Sequence, residues 1–237
     1  MRTCLITGAG TGIGQATAVE VSKRADVKNI VLISMGIDDL VKTKELMDQS
    51  KNIDLYDQDI TDYDSIQKII QETSERYGSI DILLNIAGYA KAVPFGEIPL
   101  ENWEKTFNVN VTALFMLSQI SFQYMKKTGG IILNVASTSG STPRPGWLAY
   151  AASKSAILGI SRTLAEELKD YNIRVYNISP GRCATAMRKA IVDNEDLEKI
   201  MQPEEVANVI SSMLTIKDNC LDGQDIIVRK AIRNNTV

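Results

Sequence analysis

The chain contains no histidine, and this absence removes several of the commonest catalytic arrangements. Without an imidazole there is no Ser-His or Cys-His nucleophile pair, no histidine proton relay and no histidine-based metal site. The three cysteines, Cys4, Cys183 and Cys220, are odd in number and widely spaced. We interpret them as reduced, mostly buried thiols and expect no bound metal. Any catalyst in this chain therefore uses tyrosine, lysine, serine, cysteine or a carboxylate.

Long apolar runs and an excess of basic residues are also missing. No run approaches the roughly 18 apolar residues that cross a membrane as a helix. The formal charge of -3 and the pI near 5.2 do not give the basic footprint of a nucleic-acid-binding protein. The first predicted strand begins almost at Met1, which favours the absence of a signal peptide. We expect a cytoplasmic location, and neither nucleic acid nor a membrane as a partner.

Short apolar segments alternate along the chain with longer amphipathic ones, which predicts strands separated by helices. The short segments lack polar alternation, as strands covered on both faces do. The pattern predicts an α/β fold: a Rossmann-like, doubly wound parallel sheet of about seven strands with helices on both faces. The length suits a single domain, 1–237, and the polar segment 229–237 is predicted to be a frayed tail. The predicted strands are 3–6, 29–33, 53–56, 81–85, 131–135, 174–178 and 226–228, and the predicted helices are 12–24, 38–49, 62–77, 101–127, 150–170 and 203–214.

A glycine-rich turn, Thr7-Gly8-Ala9-Gly10-Thr11-Gly12-Ile13-Gly14, joins the first predicted strand to the first predicted helix. Gly8 permits a tight turn, the middle glycines let the backbone approach a pyrophosphate, and Gly14 lets the helix pack against the strand. The helix N-terminus adds free N–H groups and a partial positive charge, which favour phosphates. The order of strand, turn and helix predicts a dinucleotide site. The alternative is a glycine-rich loop that binds nothing.

Tyr150 and Lys154 lie four residues apart at the start of a predicted helix, so they share one face. A nearby ammonium favours the phenolate, and we expect it to lower the pKa of Tyr150 from about 10 toward neutrality, where a general acid/base works best. Ser137 follows a predicted strand at the edge where ligands of such sheets bind, so its hydroxyl can donate to a substrate carbonyl. Ser139 and Ser141 are alternatives for that role. A surface Tyr-Lys pair and a turn-forming serine are the structural alternatives.

These motifs together resemble the short-chain dehydrogenase/reductase family, including its 3-oxoacyl-acyl-carrier-protein reductases, over roughly residues 2 to 228. The resemblance implies an NAD(P)H-dependent oxidoreductase that interconverts a ketone and a secondary alcohol by hydride transfer. Asn110 would support a kinked backbone and a water that continues the proton relay from Lys154. Ile86 departs from the family, which usually has asparagine there. The implied catalytic residues are Asn110, Ser137, Tyr150 and Lys154.

The resemblance also implies a set of cofactor-binding residues. Ala87 and Gly88 would leave room for the adenosine half. Asp59 matches the acid that bonds the adenine amine, with a helix cap as its alternative role, and Thr185 matches the threonine that bonds the nicotinamide carboxamide. The full set is Gly8, Thr11, Gly12, Ile13, Gly14, Ser34, Asp59, Ile60, Asn85, Ala87, Gly88, Tyr150, Lys154, Pro180, Gly181 and Thr185.

The choice between NAD and NADP falls on the end of the second predicted strand. Ser34-Met35-Gly36 contains neither the acid that selects NAD nor a basic residue that would bind the 2′-phosphate of NADP. Ser34 and Gly36 offer hydrogen bonds to a phosphate, with Lys42 as a distant cation, whereas Asp38 and Asp39 favour NAD. The balance slightly favours NADP over NAD, with a modest difference in affinity.

Basic residues are concentrated in the loops where the substrate is expected, at Lys91, Arg144, Arg182 and Arg188. Such cations suit an anionic small molecule, either a 3-oxoacyl thioester or a sugar or polyol phosphate; solvated surface charges are the alternative. A function from a different class, a non-catalytic dinucleotide-sensing or scaffold protein, uses the same fold. Apolar residues on the predicted helices 101–127 and 150–170 match the pair with which the family dimerises, which predicts a homodimer or homotetramer.

Overall fold

The structure is a computed structural model that describes residues 1–192, 194–215 and 219–230. The strands are β1 (Arg2–Thr7), β2 (Val27–Ser34), β3 (Asn52–Asp57), β4 (Ile82–Asn85), β5 (Gly130–Val135), β6 (Ile173–Pro180) and β7 (Asp225–Val228). The helices are α1 (Gly12–Ser22), α2 (Ile37–Leu46), α3 (Tyr63–Tyr77), α4 (Leu100–Phe107), α5 (Ala113–Met125), α6 (Leu148–Leu168), α7 (Ala186–Ile191) and α8 (Pro203–Met213).

The seven strands form one sheet in the order β3-β2-β1-β4-β5-β6-β7, and every neighbouring pair is parallel. The strand order reverses between β1 and β4, which is the doubly wound arrangement. The predicted fold class is confirmed. Each predicted strand overlaps an observed one, with ends that differ by no more than two residues.

Helices cover both faces of the sheet, and the side chains of β1 show why its sequence does not alternate in polarity. Cys4 and Ile6 pack into the core beneath α1, α2 and α8, whereas Leu5 packs into the core beneath α3, α5 and α6. All three are completely buried. A strand covered on both faces requires apolar residues at successive positions.

The boundaries of α3 illustrate how local sequence signals set a helix. The Asp62 side chain accepts a hydrogen bond from the Ser65 N–H at the N-terminus, and Gly78 has a φ of 81° directly after the last residue. An acceptor that caps the first turn and a left-handed glycine that ends the last one are the expected signals. Asp62 is therefore the N-cap of α3. Asp59, for which a helix cap was the alternative role, does not cap this helix.

The predicted helix 101–127 is helical as far as Met125, with one departure from α-helical geometry. The predicted helix 101–127 is interrupted by a π-helical turn, Asn108–Thr112, which separates α4 from α5. Asn110 lies in this turn and is 1 % exposed. A wide turn of this kind inserts a residue into the α-helical repeat and redirects the side chains beside it. The short helix α7 was not predicted.

Two absences apply to the part of the chain that the structure describes. None of its helices is both long enough and apolar enough to cross a membrane. No group of three cysteine, aspartate or glutamate side chains within it is arranged to hold a metal ion. The predicted tail lies outside the described residues from 231 onward.

Candidate active site

A cavity of about 340 Å³ opens at the carboxyl edge of the sheet, beside the point where the strand order reverses. Ligands of doubly wound sheets bind at this edge, and the volume lies within the range of small-molecule pockets. The cavity is lined by every predicted cofactor residue except Asn85, and by Ser137, Arg144, Arg182 and Arg188. The fold thus brings together residues that are far apart in the chain.

The glycine turn is shaped by contacts that exclude side chains. Gly8 and Gly12 have φ values of 67° and 55°, in the left-handed region. A Cβ atom on Gly8 would lie 2.7 Å from the Cα of Ala87, and one on Gly14 would overlap the carbonyl oxygen of Gly8. The turn therefore requires glycine for its backbone and for its packing against the end of β4.

The N-terminus of α1 suits a phosphate group. Thr11 at the N-cap makes no capping hydrogen bond with its side chain, and the first residues of the helix, Gly12, Ile13 and Gly14, line the cavity. The first N–H groups of a helix need acceptors from outside it, and a phosphate is a suitable one. The residues present thus fit the pyrophosphate of a dinucleotide.

Thr7 has a structural role that the sequence did not reveal. Its hydroxyl accepts hydrogen bonds from the N–H groups of Ile86 at 3.1 Å and Ala87 at 3.2 Å, and it donates to the carbonyl of Leu84 at 3.4 Å. Thr7 is 1 % exposed. It ties the segment after β4 to the end of β1 and holds that wall of the cavity against the glycine turn.

Asn85, predicted to bind the cofactor, lies inside the protein. Its amide donates to the side chain of Asn134 at 2.8 Å, and the amide of Asn134 donates to the hydroxyl of Ser161 at 3.0 Å. Asn85 is 4 % exposed. A buried amide needs hydrogen-bond partners, and the Nδ2 of Asn85 finds one on the neighbouring strand, whereas its Oδ1 has none among the described residues. The role of Asn85 toward a cofactor stays a prediction.

Asn110 connects three parts of the site. Its Oδ1 accepts from the N–H of Tyr89 at 2.7 Å, and its Nδ2 donates to the carbonyl of Tyr89 and to the hydroxyl of Ser153, both at 2.9 Å. The Ser153 hydroxyl in turn donates to the carbonyl of Tyr150 at 2.7 Å. The π-helical turn is thereby joined to the loop after β4 and to the first turn of α6. Ser153, which was not predicted as a site residue, is the link to α6.

Lys154 places a buried cation in the wall of the cavity. Its Nζ donates to the carbonyl of Val135 at 2.8 Å and lies 5.6 Å from the centre of the Tyr150 ring. Lys154 is 3 % exposed, and burial lowers its pKa to about 8. A Cβ atom on Gly88 would lie 3.5 Å from this Nζ, so the small residue at 88 keeps space in front of the ammonium.

Tyr150 and Ser137 meet at the cavity surface. Burial raises the pKa of Tyr150, while a hydrogen bond with Ser137 and the charges of Arg144 and Arg188 act in the opposite direction. This differs from the prediction that Lys154 lowers the Tyr150 pKa toward neutrality, because removal of the phenol from water outweighs the neighbouring cations. Of the alternative serines, Ser139 also lines the cavity, but Ser137 is the one that acts on Tyr150.

The four cations predicted to bind substrate have different surroundings. Arg188 forms two hydrogen bonds to Glu195, at 2.6 and 2.9 Å, and Arg182 pairs with the same carboxylate at 3.3 Å. Lys91 is exposed and does not line the cavity, because the loop after β4 carries it away from the wall. Glu195, whose pKa these arginines hold below its usual range, was not predicted.

Arg144 differs from the other two arginines that line the cavity. Its Nη2 lies 3.4 Å from the hydroxyl of Thr138, and its Nε is buried with no hydrogen-bond partner. Among the described residues no carboxylate forms a salt bridge with it. Its charge therefore remains available to a ligand.

Together, the doubly wound sheet, the glycine turn and the Tyr150–Lys154 pair that lines the cavity define a dinucleotide-dependent oxidoreductase. A family model described as short chain dehydrogenase matches residues 2–196, and the chain belongs to this family. It is therefore an NAD(P)-dependent dehydrogenase or reductase.

Relatives and solved structures support this assignment. The chain is 34% identical over 235 residues to the 3-oxoacyl-acyl-carrier-protein reductase FabG of Thermotoga maritima, with 95% of each chain covered. It is 32% identical to an NAD-dependent glycerol dehydrogenase of Listeria innocua, with 96% of this chain and 92% of that protein covered. A structure of NAD+-bound xylitol dehydrogenase superimposes with a TM-score of 0.86 at 25% identity and covers 97% of this chain and 98% of its own. A structure of an actinorhodin polyketide ketoreductase with NADPH gives 0.87 at 25% identity, covering 96% and 95%.

The buried ammonium predicts a pH-dependent stability. The folded-state pKa of Lys154, about 8, is below its ordinary value of 10.5. Between these values the unfolded chain holds a proton that the folded chain has released, so the contribution of Lys154 to stability rises with pH. We expect the stability of the wild type relative to Lys154→Met to increase by about 2 kcal/mol between pH 7.5 and 9.5.

Urea unfolding followed by circular dichroism at the two pH values measures this difference. Lys126→Met, at an exposed position, is the matched control. Its stability difference from the wild type should be the same at both pH values. An unchanged difference for Lys154→Met would contradict the burial of a titrating ammonium.

Proposed function

We propose that this enzyme interconverts a ketone and a secondary alcohol, with Ser137, Tyr150, Lys154 and Asn110 as its site. The observation that carries this proposal is the position of two hydroxyls, from Ser137 and Tyr150, side by side in the cavity with a buried ammonium one helical turn behind. A dinucleotide bound in this cavity supplies or accepts the hydride. The glycine turn would hold its phosphates, Asp59 and Ile60 its adenine, and Gly181 and Thr185 its nicotinamide.

The side chains around the carbonyl have separate tasks. In reduction, the Ser137 hydroxyl donates a hydrogen bond to the substrate carbonyl oxygen and orients it. The Tyr150 hydroxyl transfers its proton to the same oxygen, which becomes the hydroxyl of the product. The charge of Lys154 stabilises the phenolate that remains, since an opposite charge nearby favours the ionised form.

Asn110 and Lys154 restore the site for the next cycle. The Lys154 pKa of about 8 lies near neutral pH, so its ammonium can return a proton toward Tyr150. Asn110 holds the loop at Tyr89 and, through Ser153, the carbonyl of Tyr150. It therefore acts as a positioning residue that supports the proton relay. A non-catalytic sensor on this fold would have no need to keep all four groups around one cavity.

Replacement of Tyr150 by phenylalanine tests the acid/base role. The variant keeps the ring that packs against Trp147 but loses the proton that it donates. We expect turnover of ketones to fall by about 1,000-fold, within the range for general acid–base catalysis. The dissociation constants of NADH and NADPH, measured by fluorescence titration, should change by less than about threefold.

The exposed Tyr63→Phe is the matched control and should keep wild-type turnover. Wild-type rates in Tyr150→Phe, measured from the absorbance of the reduced cofactor, would refute the assignment of Tyr150.

We propose further that the substrate is anionic and that Arg144 binds its charge. Arg182 and Arg188 are already paired with Glu195, and Lys91 lies outside the cavity, so Arg144 is the arginine of the wall with an unsatisfied charge. Its guanidinium contacts the hydroxyl of Thr138, which is the residue directly after Ser137 in the chain. A phosphorylated sugar or the phosphopantetheine arm of a 3-oxoacyl thioester offers a suitable anion, because guanidinium groups bind phosphate through two parallel hydrogen bonds.

Matched pairs of ketones test this assignment. We expect Arg144→Gln to raise KM by about 10- to 100-fold for acetoacetyl-phosphopantetheine or dihydroxyacetone phosphate, the loss expected for one hydrogen bond to a charged group. The unphosphorylated partners, acetoacetyl-pantetheine and dihydroxyacetone, should be affected less than about threefold. Lys91→Gln is the control and should leave the KM of all four ketones unchanged.

The same assays distinguish an acyl substrate from a sugar substrate. The enzyme should turn over either acetoacetyl-phosphopantetheine or dihydroxyacetone phosphate far better than the other. An equal effect of Arg144→Gln on phosphorylated and unphosphorylated ketones would contradict the role of Arg144 as an anion anchor.

We also propose a homodimer or homotetramer formed through α4, α5 and the start of α6. Large apolar side chains are exposed there: Leu100 by 69 %, Phe115 by 47 % and Leu148 by 45 %. Burial of such side chains against a second copy is favourable. Light scattering should give two or four times the chain mass of 26.1 kDa. A monomer at micromolar concentration would contradict this proposal.

A further inference from the structure

The carboxyl end of β2 lies where a doubly wound fold meets the adenosine ribose, and so where NAD and NADP are distinguished. Ser34 and Met35 line the cavity there. The backbone then turns at Gly36, which has a φ of 92° and forms the N-cap of α2. The N–H groups that follow this turn are natural donors to a phosphate.

A carboxylate from the neighbouring strand already occupies these donors. Asp57, the last residue of β3, pairs with Ser34 in the sheet register. Its Oδ1 accepts a hydrogen bond from the Gly36 N–H at 2.8 Å, and its Oδ2 accepts one from the Ile37 N–H at 3.2 Å. The N-terminus of α2 is thus capped by a full negative charge, in contrast to the N-terminus of α1, which has no capping side chain.

The other groups that the sequence offered to a 2′-phosphate are engaged as well. Lys42 Nζ pairs with Asp39 Oδ1 at 3.0 Å, and the Ser34 hydroxyl makes a long hydrogen bond of 3.4 Å to the carbonyl of Met35. Asp39 itself lies against the glycine turn, since a Cβ atom on Gly10 would be 3.3 Å from its Cβ. A 2′-phosphate at the end of β2 would therefore lie near the carboxylates of Asp57 and Asp39, and the one lysine that the sequence offered to it, Lys42, is already paired.

We propose that Asp57 makes this enzyme prefer NADH over NADPH, because it occupies the anion-binding N–H groups of α2 and repels a 2′-phosphate. The unphosphorylated ribose of NADH has no charge to be repelled. The residues that follow β2 in the sequence slightly favour NADP. The carboxylate of Asp57, which belongs to β3, reverses this preference. This proposal rests on the binding of a dinucleotide in the cavity described above. It does not depend on the proposed catalytic roles, because a measurement of cofactor binding without turnover tests it.

Fluorescence titration of NADH and NADPH, with the intact protein at 0.1 M salt, tests this proposal. We expect the wild type to bind NADH about 10- to 100-fold more tightly than NADPH. Asp57→Asn, which keeps an acceptor for Gly36 but removes the charge, should narrow this ratio by about tenfold, chiefly by tighter binding of NADPH. Asp57→Ser, whose hydroxyl is also a good helix cap, is the second variant and should act in the same direction.

Asp64→Asn is the matched control, since it removes the same charge from the exposed first turn of α3 and should leave the ratio unchanged. Two outcomes would overturn the proposal. One is a wild type that binds NADPH as tightly as NADH, which is decisive even if a variant fails to fold. The other is an unchanged ratio in folded Asp57→Asn or Asp57→Ser.

Discussion

The hydrogen bond from the Lys154 ammonium to the carbonyl of Val135 is the contact on which the rest of the site depends. It joins the body of α6 to the end of β5, and so sets where the first turn of the helix lies. Tyr150, one turn earlier, is thereby brought beside Ser137, which follows the same strand. A buried cation is costly unless it is hydrogen-bonded, which is why its surroundings are so constrained. Gly140 lets the loop after β5 pass directly against the backbone of Lys154.

A second set of contacts holds the opposite wall of the cavity. The amide of Asn110 bonds both backbone groups of Tyr89 and also the hydroxyl of Ser153. The backbone is π-helical and not α-helical at Asn108–Thr112, and this geometry positions the amide of Asn110. Wide helical turns of this kind are frequent at functional sites, because they redirect a side chain at the expense of regular hydrogen bonding. The π-helical turn and the loop after β4 are in this way both connected to α6.

The sequence predicts well those features that depend on neighbouring residues. Strand positions follow from apolar runs, and the phosphate turn follows from glycines placed between a strand and a helix. The partners of Asn85 and Gly36 could not be predicted, since Asn134 and Asp57 reach them from other strands of the sheet. The interruption of the predicted helix 101–127 depends likewise on contacts of Asn110 with residues outside that helix. The cytoplasmic location, the single-domain organisation and the roles of the individual site residues remain predictions.

The most direct test is a crystal structure of the enzyme with a bound dinucleotide. We expect the pyrophosphate at the N-terminus of α1 and the nicotinamide beside Tyr150. The hydroxyls of Tyr150 and Ser137 should converge on one point above the ring, and the Lys154 ammonium should contact the nearby ribose. A dinucleotide seated elsewhere, or a Tyr150 hydroxyl directed away from the nicotinamide, would contradict the assignment of these residues to one hydride-transfer site.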